Sequence, residues 1–295
     1  MSGKGKNAID MTGGSLWKNI LVFSLPLMMT QMLEVLFNLS DVAIAGKYAD
    51  YIALGAVGST ALLVSLFTGI LIGMGAGVNV RTAHQLGAEK TSGSSETVAR
   101  TVYSGLIVCL IIGIILCLVC NIFARPMLET LKTKDELIES AVLYLKIYAL
   151  GMPAMAVYNF GNGVLSACGE TKKPLVYLSI AGVLNVILNI FFVVVCKKAA
   201  DGVAIASVIA QYLSASMIMC HLLRRKDSCK LRLSNKYFDT SACGGVLMIG
   251  IPTGMQNAIF AVANLFVQTG VNHFDAVMVS GNSAAQNADT LIFNV

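Results

Sequence analysis

Charge is what this chain has least of. Asp, Glu, Lys and Arg make up only 13% of its 295 residues, against about 25% in ordinary soluble domains. A chain this long cannot cover a water-soluble fold with so little polar surface, so soluble enzymes and nucleic-acid binders are excluded. Catalytic groupings are also missing. There is no intramembrane Ser/His pair and no Asp-rich diphosphate motif, which removes intramembrane proteases and prenyl transferases. The three histidines, His84, His221 and His273, stand at segment ends, and no Cys/His set has the spacing of a metal site. Most of the eight cysteines, Cys109, Cys117, Cys120, Cys220 and Cys243 among them, lie in apolar runs and read as reduced packing residues. The stretch MSGKGKNAID lacks the apolar run and cleavage site of a signal peptide, so the first helix is expected to serve as its own insertion signal.

What the chain does have is hydrophobicity: 56% of residues, with a mean hydropathy of +0.74. Segments free of long charged runs fall at roughly 17–46, 52–80, 101–123, 137–168, 174–196, 202–223, 242–271 and 276–295. Each is about long enough to cross a ~30 Å hydrocarbon core. The expectation is an all-α polytopic membrane protein with eight spans. If spans alternate across the bilayer, 14 of the 21 basic residues fall on the side of the N-terminus and of the second, fourth and sixth connections. Six fall on the other side, and Lys146 lies within the fourth span, where it is expected to snorkel to the outer interface. The positive-inside rule then puts the N-terminus and the basic stretch from Arg224 to Lys236 in the cytoplasm, facing anionic headgroups.

The chain repeats itself at an offset of 226. Pro26 meets Pro252, Asn38 meets Asn264, Gly55 meets Gly281, and Leu21, Leu39 and Phe67 extend the ungapped register to Leu247, Leu265 and Phe293. Six spans separate the two starts, so the repeats share one orientation, a transporter architecture. The expected organisation is an N-terminal six-helix bundle over 1–223, a cytoplasmic basic linker over 224–241 and a partial second bundle over 242–295. Because Val295 corresponds to Gly69, in the middle of a span, the chain is expected to be a fragment ending in its eighth helix.

The first span carries Gln31, Glu34, Asn38 and Asp41 at i, i+3, i+7 and i+10, on one helical face. A carboxylate at mid-bilayer costs at least ~2.5–3.5 kcal/mol, so such a stripe is expected to face a cavity or an ion route. The alternative for Asp41, 24 residues after Trp17, is that it has reached the outer interface. Pro26 can kink this helix. Asn185 and Asn189 share a face of the fifth span, as do Ser207, Gln211 and Ser214 in the sixth. Neutral groups of this kind often serve as interhelical glue, and beside the carboxylates they would complete an all-oxygen set suited to a hard cation. Pro153, Asn159 and Asn162 predict a kinked, polar-ended fourth span. In the seventh, Asn257, Asn264 and Gln268 repeat the polar pattern without an acid, so ion coupling is expected in the first half only. Gly69, Gly73 and Gly77 have the small-xxx-small spacing of close helix contact.

The segments LPLMMTQMLEVLFNLSDVAIAGKY, ALGAVGST, SACGETKKPLVYL, LNVILNIFFV, GVAIASVIAQ and IGIPTGMQNAIFAVANLFVQTGVN resemble the multidrug and toxic compound extrusion (MATE) family, in order and from about Leu16 onward. The resemblance implies two six-helix bundles related by a pseudo-twofold axis along the membrane normal. It also implies export of organic, often cationic, compounds in exchange for H+ or Na+ by alternating access, with no other cofactor. It marks Asp41 as the coupling carboxylate and Asn185, Asn189 and Ser207 as its polar partners, which would also hold Na+. Some members carry aspartate where Asn189 stands, and Glu34 is expected to supply the second carboxylate. Gln31, Asn38, Asn159, Gln211, Asn257 and Asn264 are the expected substrate-cavity residues. The expected setting is the plasma membrane, with a monomer when complete, small organic cations as partners and no nucleic acid. A lipid-linked precursor flippase of the same superfamily would need Arg or Lys inside the first-bundle cavity, and this sequence offers only peripheral Lys146. An eight-helix receptor or scaffold would need neither repeat nor acidic stripe.

Overall fold

Helices follow from the long apolar runs, and small residues decide which helix lies at the centre. A computed structural model describes residues 16–49, 51–92, 95–131 and 133–271. In chain order the helices are α1 (Leu16–Tyr48), α2 (Tyr51–Ser92), α3 (Ser95–Thr130), α4 (Asp135–Ala149), α5 (Met152–Ala167), α6 (Lys172–Ile190), α7 (Ala200–Arg224) and α8 (Thr240–Val271). There are no strands among the described residues. Five helices, α1, α2, α3, α6 with the π turn Phe191–Val195, and α7, are long and apolar enough to cross a bilayer. The pair α4–α5 makes a sixth span bent by 44°, which is the predicted fourth segment, with Pro153 in the first turn of α5. The seventh segment is α8. The eighth, 276–295, lies outside the described residues.

Helix α2 touches α1, α3, α4, α5, α7 and α8, while α6 is wedged between α1 and α7. Helices in lipid gain nothing from hydrophobic association, so close backbone approach must hold them. A Cβ on Gly73 would stand 2.3 Å from Gly254 N, and one on Gly77 2.6 Å from Val246 O. The predicted small-residue stripe is thus the seat of α8. On another face of α2, a Cβ on Gly163 of α5 would stand 2.3 Å from Gly75 O. Leu71, Met74 and Val78 fill the core between these contacts. Outward, Ile111, Ile114, Ile115, Leu118 and Ile122 of α3 form an exposed apolar face, as expected toward lipid. Shifted by the 226-residue offset, the start of α1 falls at residue 242, close to the start of α8 at Thr240, and both helices contain their proline.

Two expectations change in the α5–α6 turn and the connection after α7. The basic stretch is more than a loop laid on headgroups. Its Cys229, Leu231 and Tyr237 are buried, and it is tied to the helices by Ser228 Oγ donating to Glu89 Oε1 (2.6 Å) and Tyr103 Oη donating to Asn235 Oδ1 (3.0 Å). Asp239 Oδ1 then accepts from the backbone N–H of Ser241 and Ala242, capping α8. The five cysteines read as reduced packing residues are free, but two others pair. Cys168, at the end of α5, is disulfide-bonded to Cys229, 61 residues on. Cys117 and Cys120, three apart on α3, are free thiols, as are Cys109, Cys196, Cys220 and Cys243. Gly169 adopts φ 78°, and the bonds Gly169 N to Ser166 O and Glu170 N to Leu165 O form a Schellman turn. That left-handed step, which suits glycine, turns the chain inward so that Glu170 is buried.

Candidate functional site

The site is built where α1, α6 and α7 meet. Thr30 Oγ1 bonds back to Pro26 O at 2.8 Å, and α1 runs on as helix through the proline to Tyr48. Three turns beyond Thr30, Asp41 is buried against the neighbouring helices, with 6% exposure. Its carboxylate accepts from Asn189 Nδ2 at 2.5 Å (Oδ1) and from Ser207 Oγ at 2.9 Å (Oδ2). Asn189 Nδ2 also donates to Asn185 Oδ1 at 3.2 Å, and Asn185 Nδ2 donates to Ser207 Oγ at 3.1 Å. The i, i+4 spacing on α6 puts both amides on the face toward α1, and the π turn begins two residues after Asn189. Such turns recur at functional sites. Asn189 Oδ1 is buried with no hydrogen-bond partner. The amide cannot be reversed to relieve this, because its nitrogen already faces two acceptors.

Asp41 opens on a cavity of about 120 Å³. Glu34 lines it one to two turns along α1, with Phe37 between the two acids. Tyr148 of α4, Tyr158 and Asn159 of α5, and Gln211 of α7 complete the wall, with Met155 and Thr68 beside them. No basic side chain is in that wall among the described residues, and Lys146 is exposed on α4. The helix break between α4 and α5 makes room for α7: a Cβ on Gly151 would lie 1.6 Å from Gln211 Oε1, so only glycine allows that amide its place. Gly182 does the same for Phe37, whose Cζ would stand 1.7 Å from an added Cβ.

Of the residues expected to couple the ion, Asp41, Asn185, Asn189 and Ser207 form one hydrogen-bonded cluster and Glu34 shares their cavity. Asn159 and Gln211 line the same space. Of the four other expected cavity residues, two have described side chains. Gln31 is half-buried but does not line the cavity, since it sits a turn short of Glu34. Asn257 donates from Nδ2 to Gly69 O at 3.2 Å and joins α8 to α2; it does not line this cavity. The side chains of Asn38 and Asn264 lie outside the described residues. Sequence reading missed the aromatic wall. Phe37 was legible, being at i+3 from Glu34 on the acidic face, whereas nothing local marks Tyr148 or Tyr158, which the α4–α5 bend brings in.

The oxygens of Asp41, Asn185, Asn189 and Ser207 fit a hard cation better than a transition metal. No cluster of three His, Cys, Asp or Glu residues exists among the described residues. Asn189 Oδ1, buried without a hydrogen-bond partner, is an oxygen of this cluster left available as a ligand.

Similarity to known proteins agrees with this architecture. The chain is 26% identical over 287 residues to the probable multidrug resistance protein YpnP of Bacillus subtilis, covering 97% of this chain and 63% of that protein. It is 23% identical to the probable multidrug resistance protein NorM of Thermotoga maritima, covering 94% of this chain and 59% of that one. The chain therefore spans about three-fifths of the length of these relatives. Its fold superposes on an outward-facing conformation of a multidrug resistance MATE family transporter of the MOP superfamily with a TM-score of 0.86 at 20% identity, over 98% of this chain and 63% of that one. The MatE family model matches residues 26–191, more than half the sequence and both asparagines of the Asp41 cluster, and the chain belongs to the MatE family.

Proposed function

We propose that this chain is the ion-coupling half of a secondary antiporter that exports organic cations in exchange for H+ or Na+ by alternating access. The observation that carries the reading is the buried Asp41 carboxylate, held by Asn189 and Ser207 at the wall of a cavity that Glu34 shares. A buried carboxylate with no basic partner among the described residues of its cavity favours any cation that reaches it. A proton or sodium ion and a substrate ammonium draw on the same negative charge, so occupation by one weakens the hold on the other, which is the minimum requirement for exchange. The aromatic wall suits flat organic cations through ring contact. The names of relatives such as YpnP, a probable multidrug resistance protein, support efflux as the direction. A flippase for diphosphate-linked lipids is disfavoured by the absence of Lys or Arg from the described cavity wall. A second bundle beginning at α8 and a monomeric plasma-membrane protein remain part of this reading.

Fluorescent-cation export by vesicles containing the full-length protein, under imposed sodium or pH gradients, tests it. Export driven by neither gradient overturns it. Glu34→Gln is expected to keep export but to weaken the apparent affinity for the coupling ion several-fold, roughly 1 kcal/mol, because one negative charge leaves the cavity. An unchanged ion dependence would confine coupling to Asp41. Orientation has its own check. Cysteines placed at Ser2 and at exposed Ser234 are expected to resist an impermeant thiol reagent in intact cells and to react after lysis. Labelling of either from outside reverses the topology.

A further inference from the structure

A second cavity, of about 240 Å³, lies between the α5–α6 turn and the end of α7. We propose that it binds a phosphate group, supplied by the headgroup of an anionic phospholipid.

The charges in its wall do not cancel. Lys173, Arg224, Arg225 and Lys226 face Glu170 and Asp227. Asp227 is committed to Arg225, accepting from Nε at 2.8 Å and from Nη2 in a bidentate pair. Burial opposes its charge, but the Arg225 hydrogen bonds and charge outweigh this and hold the carboxyl below its ordinary value. Glu170 Oε2 lies 3.1 Å from Lys173 Nζ and 3.3 Å from Arg225 Nη1. Arg224 and Lys226, both exposed, have no ion pair among the described residues. Two positive charges are therefore left over at the mouth.

The floor of the cavity is preorganised for an acceptor. The Arg225 side chain is only 6% exposed, and Asp227 fixes the plane of its guanidinium through Nε and Nη2. Nη1 is buried and faces Glu170 Oε2 at 3.3 Å, an ion pair without hydrogen-bond geometry. Guanidinium edges match phosphate oxygens in geometry, so a phosphate oxygen would compete with Glu170 for this edge. The fold holds this arrangement from both sides: the Gly169 turn buries Glu170, and the Cys168–Cys229 bond fastens the α5 end to the segment that follows Asp227.

Depth selects the source. Arg224 is the last residue of a 25-residue span, so the cavity sits at the polar end of a membrane helix, where lipid phosphates lie. Basic pockets between helices at that level take anionic headgroups. This cavity shares no lining residue with the one beside Asp41.

Native mass spectrometry of the full chain in detergent, with phosphatidylglycerol or phosphatidylcholine added, and a titration with inorganic phosphate test the proposal. The intact protein is expected to retain phosphatidylglycerol in preference to phosphatidylcholine. The double variant Arg224→Gln/Lys226→Gln should lose at least about tenfold in that affinity with helicity unchanged, because neither side chain holds the fold together. Glu170→Gln should bind several-fold more tightly, since the competing carboxylate is gone, and a merely destabilised protein would not show this opposite sign. Phosphate competing with phosphatidylglycerol supports the shared site. Phosphate binding without lipid retention keeps the phosphate site but overturns the lipid as its source. Equal retention of both lipids by intact protein and double variant, with no phosphate binding, overturns the proposal altogether.

Discussion

Asp41→Asn is expected to reduce ion-driven export in the full-length protein to below about a tenth of the parental rate, a barrier change above ~1.4 kcal/mol, while insertion and folding persist. The substituted amide has nearly the same shape and can still accept from Asn189 Nδ2. The Ser207 hydroxyl, which can rotate, is able to accept from the new NH2 group. The hydrogen-bonded contact among α1, α6 and α7 is therefore retained without its charge. What disappears is the group that can bind and release a proton or offer a full negative charge to sodium. Asp41→Ala removes both acceptor oxygens as well, and should loosen α1 from α6 in addition to stopping export. Dye export from proteoliposomes under imposed pH and sodium gradients measures the first effect, and thermal unfolding of the purified variants separates it from the second. Export by Asp41→Asn at the parental rate would remove Asp41 from the coupling mechanism.

The largest structural effect is expected from Gly73→Val. An added Cβ at this position meets Gly254 N at 2.3 Å, Gly254 Cα at 2.4 Å and Gly250 O at 2.9 Å. All three are backbone atoms, so no side chain can swing aside and the helices must separate. Overpacking typically costs about 1–3 kcal/mol, and a valine at a backbone-to-backbone crossing belongs at or above the upper end. Separation would also pull Asn257 from Gly69 O. The measurement is the thermal midpoint together with protease cleavage between α7 and α8, which should quicken as α8 leaves α2. Gly58→Ala is the control on the same helix, because a Cβ there meets nothing within 4 Å. A Gly73→Val protein as stable as that control would show that the α2–α8 contact does not hold the fold.

Some of this molecule was decided by sequence alone. Hydropathy is a local property, so the spans through α7 were legible, and the bend of the fourth at Pro153 with them. The i, i+3, i+7 rule placed Glu34 and Asp41 on one face of α1, and i, i+4 did the same for Asn185 and Asn189. Periodicity fixes the angle of a residue about its own helix. It says nothing of how one helix is rotated against the next, and that rotation is set by where backbones approach most closely, at Gly73 with Gly254 and at Gly75 with Gly163. The resemblance grouped Asp41 with Asn189 and Ser207, but only the tertiary structure gives the contacts across 148 and 166 residues or joins Asn257 to Gly69. The same holds for Cys168 with Cys229, and for a basic stretch that charge counting reads as a loop on lipid. Folding that stretch against the helix ends buries Arg225 among opposing charges, which net charge along a sequence cannot express because it has no distances.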